Sequence, residues 1–249
     1  MKKVLYLFLM VSMAFLVNAC NSEDTTGPET GSTTGSIYVR STPSGAQIWM
    51  GSTNTGKVTP DSVTNLQAGS HSITLKLAGY PDTTFTVTVT GGQVSNVNVQ
   101  LPLALQAFGP VKLWETIGTS ATQPSGLILS TGAASGIGST ATDRLKVDLY
   151  YSSNGFVIAS ADQATGLSRK TYFKVGGSTN LTDSVDTQAK DASWTSSFKD
   201  IENNYVFVVD NDNHYSKLQI VSRGGGTPGN PAWVEVKWIY NKSAGDLRF

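Results

Sequence analysis

From Thr84 to Thr90 every second residue is threonine and every other one is apolar: Phe85, Val87 and Val89 face one way, Thr84, Thr86, Thr88 and Thr90 the other. A period of two places alternate side chains on opposite faces of a pleated strand, and no helix has that period. Threonine suits the wet face, because its branched Cβ fits the pleat while its hydroxyl faces water. The same alternation recurs from Ile37 to Leu101, broken by turn residues every 8–12 positions. Ile37 and Val39 alternate with Tyr38 and Arg40; Ile73, Leu75 and Leu77 share a face; Val97, Val99 and Leu101 close the series after Gly91-Gly92. This spacing predicts an all-β unit.

Composition narrows the classes further. One cysteine and two histidines in 249 residues exclude a disulfide framework and Cys₄ or Cys₂His₂ zinc sites. Eighteen basic residues against eighteen acidic ones leave no basic footprint for nucleic acid. At roughly 100–200 residues per domain the length allows one or two domains.

Met1-Lys2-Lys3 precedes an apolar run from Val4 to Val17, shorter than the ~20 residues of a membrane-spanning helix and shaped like a secretory signal. The run ends in Leu16-Val17-Asn18-Ala19-Cys20, which resembles a bacterial lipobox, with Val17 where leucine is usual. The resemblance implies removal of residues 1–19 and lipidation of Cys20. Without Lys2 and Lys3 the mature chain has 16 basic and 18 acidic residues, so attachment rests on acyl chains and not on a basic patch. Ser22-Glu23-Asp24 resembles the acidic export signal of surface lipoproteins in Bacteroidetes-type bacteria. Residues 20–35, rich in Thr, Gly, Ser and Glu, predict a disordered tether.

Within the first β unit, Pro43-Ser44-Gly45-Ala46, Thr59-Pro60, Leu66-Gln67-Ala68-Gly69-Ser70-His71 and Ala78-Gly79-Tyr80 follow in an order similar to the PEGA domain, with Ser44 in place of the glutamate. The turn depends on Pro and Gly backbone geometry more than on that carboxylate. The resemblance implies a small β-sandwich over residues 36–103, an accessory module of extracytoplasmic bacterial proteins, and it transfers no catalytic residue.

Two near-motifs fail on chemistry. Gly51-Ser52-Thr53-Asn54-Thr55-Gly56-Lys57-Val58 approaches a phosphate-binding loop, but Val58 replaces the metal-binding hydroxyl and Pro60 forbids the following helix. It reads as a hairpin. Thr131-Gly132-Ala133-Ala134-Ser135-Gly136-Ile137-Gly138 is similar to the nucleotide loop of short-chain dehydrogenases. The next segment, Arg144 to Tyr150, alternates like a strand, and no Tyr-x-x-x-Lys pair occurs. No cofactor is expected.

After a linker at Leu103–Ala107 the pattern stays β, predicting a second antiparallel β-rich domain over residues 106–249. Leu145, Val147 and Leu149 alternate with Lys146, Asp148 and Tyr150. Tyr205–Val209 is continuously apolar, as in a central strand buried on both faces. Tyr215, Lys217, Gln219 and Val221 oppose Ser216, Leu218 and Ile220. On the last strand Val234, Val236, Trp238 and Tyr240 oppose Trp233, Glu235, Lys237 and Ile239. Phe198–Ile201 reads as a single helical turn.

Tyr205–Tyr240 faintly resembles the C-terminal part of HmuY-type haemophore lipoproteins, which bind haem through paired histidines. His71 and His214 fall in different modules, so that pair cannot form inside one domain. Asp210-Asn211-Asp212-Asn213 lacks the glycine and glutamate of an EF-hand loop, leaving Asp210 and Asp212 as two carboxylates for weak calcium binding at a hairpin tip. Trp194, Trp233 and Trp238, with Trp114, are the aromatics available to stack on a sugar, although tryptophan more often fills a core.

These observations predict a lipid-anchored, non-enzymatic cell-envelope protein whose first module presents a β-rich binding domain to an envelope protein or a glycan. Surface capture of haem or glycan is the alternative. A glycan-active enzyme remains a third, since paired carboxylates can lie far apart in sequence. Oligomeric state is not encoded in any motif.

Overall fold

The computed structural model describes residues 32–249 and is built from strands. The described residues contain no α-helix, only three-residue 3₁₀ turns at 116–118, 144–146 and 161–163, and no helix long and apolar enough to cross a membrane. The expected signal segment 1–19, the expected lipidation site Cys20 and the expected tether as far as residue 31 lie outside the described residues.

The first module contains β1 (Thr34–Thr42), β2 (Gln47–Met50), β3 (Thr53–Val58), β4 (Asp61–Gln67), β5 (Gly69–Lys76), β6 (Thr83–Val89) and β7 (Val94–Gln100). Sheet β4-β1-β7 packs on sheet β3-β2-β5-β6. The alternating residues Ile37, Val39, Ile48, Ile73, Leu75, Val87 and Val89 all turn inward into one core. Burial of each such side chain contributes about 1.5–3 kcal/mol. One detail departs from the sequence reading: β1 begins at Thr34, two residues inside the expected tether. β1 pairs with β7 in parallel and with β4 antiparallel. The Gly51-Ser52 turn and β3 occupy the near-P-loop, which forms a hairpin with β2.

The second module contains β8 (Leu105–Trp114), β9 (Gly126–Leu127), β10 (Ala134–Ser135), β11 (Leu149–Ser152), β12 (Val157–Ser160), β13 (Tyr172–Val175), β14 (Ser197–Lys199), β15 (Val206–Val209), β16 (Tyr215–Gly224) and β17 (Trp233–Asn241). Sheets β10-β9-β11-β12-β14 and β13-β15-β16-β17-β8 share a core that includes Leu149, Tyr151, Ile158, Val208, Leu218, Val236 and Trp238. β15 is buried on both faces: Val206 and Val208 enter this core, while Tyr205, Phe207 and Val209 join a cluster on the outer side with Trp194 and Tyr215.

Three local expectations are corrected. β8 starts at Leu105, within the expected linker, because it hydrogen-bonds to β17 from Asn241 onward. Arg144–Lys146 is a 3₁₀ turn with Leu145 exposed, and the strand begins only at Leu149. Val147 and Leu149 are both buried, but in different clusters, so a strand-like alternation there spans a bend. Phe198 belongs to β14, paired with Ile158 of β12, and not to a helical turn.

The two modules meet at a polar seam. Tyr80 donates its hydroxyl to Asp246 Oδ2 at 2.8 Å, Ser243 donates to the Gly79 carbonyl at 2.6 Å, and Arg248 reaches the Leu101 carbonyl at 3.3 Å. Asp246 is itself held by Arg248, with Nη2 at 2.6 Å.

Candidate functional site

The antiparallel register of the second sandwich gives it two distinct ends. Leu105 pairs with Asn241 at the end beside the seam, and Trp114 pairs with Trp233 at the other. The ten residues of β16 run from Tyr215 near the first end to Gly224 at the second, roughly 30 Å at about 3.3 Å per residue. A groove opens at the far end.

That groove, about 410 Å³, is walled by Phe156, Ile201, Arg223 and the Gly224–Gly226 strip, with Tyr151 and Asp200 among its lining residues. Tyr151, at the close of β11, donates its hydroxyl to Asp200 Oδ2 at 2.8 Å, and Arg223 Nη1 donates to Asp200 Oδ1 at 3.1 Å. Arg223 is half exposed, so its guanidinium keeps donors free for a ligand while the paired carboxylate is nearly covered. Burial, reinforced by Asp200, raises the Tyr151 hydroxyl far above its ordinary pKa, and it stays a donor at any physiological pH.

The walls are apolar and unusual in their exposure. Phe156 is 42% exposed and Ile201 60%. Phe156 also holds a left-handed backbone, φ 51°, a conformation sparsely populated by bulky residues and kept only where the surroundings enforce it. Here Lys199 Nζ donates to the Gly155 carbonyl at 2.7 Å, and the Phe156 carbonyl accepts from Asp200 N–H at 3.0 Å. Glycine is required opposite: a Cβ on Gly225 would lie 2.0 Å from the Pro231 carbonyl oxygen, and Gly225 sits at φ 70°.

The site continues onto the outer face of the sheet. A Cβ on Gly224 would come within 2.7 Å of the Trp233 ring, so the indole lies flat against that glycine. Lys112 Nζ sits 4.0 Å from the Trp233 ring centroid and 5.7 Å from that of Trp114, a cation–aromatic ladder leading away from the groove.

The residues singled out from sequence separate accordingly. Trp233 is half-buried beside the groove. Trp238 and Trp194 are core residues, which corrects their candidacy as ligand contacts. Trp238 is 1% exposed, donates Nε1 to the Leu129 carbonyl at 3.0 Å and stacks on Phe108 at 5.2 Å. Trp194 packs edge-on against Tyr215.

Asp210 and Asp212 are already engaged. Asp210 accepts from the N–H groups of Asp212 and His214, each at 2.9 Å, and from the Tyr240 hydroxyl at 3.1 Å, while Asp212 accepts from Arg169 at 2.6 Å. Burial raises the Asp210 pKa against those hydrogen bonds, whereas the Arg169 hydrogen bond lowers that of Asp212. Among the described residues no group of three or more His, Cys, Asp or Glu could hold a metal. His214 stacks on Tyr240, and His71 contacts the Gln67 carbonyl in the other module, so no histidine pair faces a common ligand. The dehydrogenase-like loop is closed by pairing of β10 with β9, and a Cβ on Gly132 would lie 2.7 Å from the Phe108 ring.

Sequence reasoning missed the groove because its parts come from five separate segments with no local motif. The one legible hint was the Gly224-Gly225-Gly226 run directly before the aromatic strand.

Compared with known proteins, residues 34–104 match the PEGA domain family. The chain is therefore a two-module all-β protein that contains a PEGA domain, and the match covers β1 to β7 with the connection into β8. No curated protein matches the sequence.

Proposed function

We propose that this chain is a lipid-anchored, non-enzymatic protein of the bacterial cell envelope. Its PEGA domain works as a stalk segment and its C-terminal sandwich presents the Phe156–Arg223 groove to a ligand. The observation that carries the reading is the groove itself: two exposed apolar side chains flank a half-exposed arginine at the end of the sandwich opposite the seam. Solvent-exposed apolar surface rimmed by polar groups marks a binding site more often than a packing accident. The PEGA domain is in keeping with an extracytoplasmic setting. Cys20, behind a signal-like segment, supplies the anchor. Ser22-Glu23-Asp24 favours the outer surface over the periplasm.

A glycan is the ligand class that fits best. An aromatic face next to an Arg–Asp pair offers apolar stacking for a sugar ring and hydrogen bonds for its hydroxyls. Haem is disfavoured by the separation of His71 from His214.

The experiment has two arms. Wild-type and Cys20→Ala chains are fractionated, and the variant should move from the membrane to the soluble fraction. The soluble domain is then screened on a glycan array beside Phe156→Ala. Unchanged fractionation removes the anchor, and array signals that survive Phe156→Ala remove the groove as the binding face.

A further inference from the structure

Lys217 sits on β16 with no exposed side-chain surface. A buried ammonium normally gathers oxygen atoms on all three of its N–H groups. Lys217 Nζ has one, Asp183 Oδ1 at 2.6 Å. Aromatic rings make up the remaining surroundings, with the centroids of Tyr205, Phe249 and Phe207 at 4.9, 5.2 and 5.8 Å. The carboxylate is equally lopsided. Its Oδ1 also accepts from Val185 N–H at 3.1 Å, while Oδ2 is buried and makes no hydrogen bond.

A fully buried amine and a carboxyl group whose side chain is 15% exposed, pressed together in a ring-lined site and each short of hydrogen-bond partners, are arranged for condensation. Fixed contact replaces a bimolecular encounter and gives the reaction a high effective concentration. Exclusion of water favours the direction that releases it. The product, a neutral amide, removes two charges from a place where they are poorly solvated.

We propose that Lys217 and Asp183 become joined by an intramolecular amide bond after folding. Lys217 Nζ, having given up one ammonium proton, attacks Asp183 Cγ, forming the N–C bond. The Cγ–Oδ2 bond breaks, and that oxygen leaves as water with two of the three ammonium protons, the third remaining on the amide nitrogen. The step is charge-balanced and needs neither oxidant nor second substrate. Tyr205, whose hydroxyl lies beside the Asp183 carboxylate, is the group placed to relay a proton to the departing oxygen. The bond would tie the loop that covers the outer cluster to the central strand β16.

The test is the intact mass of the folded full chain after denaturation, with peptide mapping. The expected result is a deficit of one water and a single branched peptide carrying both Lys217 and Asp183. Asp183→Ala should restore the full mass. Asp183→Asn should form the same amide with loss of ammonia, which keeps the chemistry testable if the alanine variant folds poorly. The proposal is overturned if wild-type protein that unfolds cooperatively has its full mass, or if Lys217 and Asp183 are recovered on separate peptides.

Discussion

Asp246→Ala is the perturbation that tests whether the two modules form one mechanical unit. The side chain is 5% exposed and is the hub of the seam: it accepts from the Tyr80 hydroxyl at 2.8 Å, from Arg248 Nη2 at 2.6 Å and from Arg248 N–H at 3.1 Å. Hydrogen bonds to a charged group contribute roughly 1.5–3 kcal/mol each, and a stranded partner adds its desolvation penalty. Arg248 is 21% exposed and can turn toward water, so the loss should be about 3 kcal/mol and not the full sum of the bonds. Tyr80→Phe removes only the hydroxyl from the other side of the seam and should cost about 1–2 kcal/mol. The assay is a double-mutant cycle read by urea unfolding. If Tyr80 and Asp246 act together across the seam, Tyr80→Phe has little further effect in the Asp246→Ala background, giving a coupling energy of about 1 kcal/mol or more. Strictly additive losses, or an Asp246→Ala cost under about 0.5 kcal/mol, would refute a stiff junction.

Trp238→Phe removes the bond to the Leu129 carbonyl and roughly 40 Å² of buried area, together about 2–3 kcal/mol in a urea titration, with no change in ligand binding. Phe156→Gly should do the opposite: it relieves the left-handed backbone, keeps stability within about 1 kcal/mol of wild type, and abolishes glycan-array signals. Gly225→Ala forces a Cβ against the Pro231 carbonyl and should open the 224–231 loop, seen as new cleavage there in limited proteolysis. Burial alone would raise the Asp246 pKa, but the hydrogen bonds from Arg248 outweigh it and the folded value lies below the ordinary 3.8. Its contribution is thus complete above the unfolded pKa and disappears as pH falls through the folded one. Module coupling in the double-mutant cycle should therefore be complete at neutral pH, start to weaken only as pH falls below the ordinary 3.8, and disappear through the lower folded value.

The strands that could be read from sequence are those with one clean face. β6 and β17 alternate without interruption, and one face of each packs inward: Phe85, Val87 and Val89 on β6, and Val234, Val236, Trp238 and Tyr240 on β17. β15 was legible for a different reason, an apolar run with no wet face at all. The alternation at Leu145, Val147 and Leu149 misled because a chain can bury alternate residues in two clusters on either side of a bend. Lys217 was opaque for a related cause. It alternates with Leu218 as a solvent-facing residue would, and only the covering loop and the tail at Phe249 make its position dry. The groove had no sequence signature, since Tyr151, Phe156 and Asp200 meet only through the pairing of β11 with β12 and β12 with β14, and Arg223 arrives from β16 in the facing sheet.

The two ends of the second sandwich are built from opposite kinds of chemistry. At the seam end, irregular segments are tied down by buried polar groups. Asp148 accepts from Leu129 N–H at 2.9 Å and Arg169 Nε at 2.8 Å, and Thr171 donates to the Asp148 carbonyl at 2.7 Å. Burial pushes Asp148 up to about 6 against the pull of Arg169, a sign of how completely these groups are withdrawn from water. Such satisfied networks fix geometry more than they add stability. At the far end the polar partners are few, Arg223 is half exposed, and Phe156 and Ile201 face solvent. A polar, fully engaged end is suited to holding a fixed angle to the PEGA domain, and an apolar, partly engaged end to meeting a ligand. Were the chemistry reversed, the groove would be saturated by its own hydrogen bonds and the junction would slide on an apolar surface. The proposed stalk and tip rest on this asymmetry, with the groove roughly 30 Å beyond the junction along the strands.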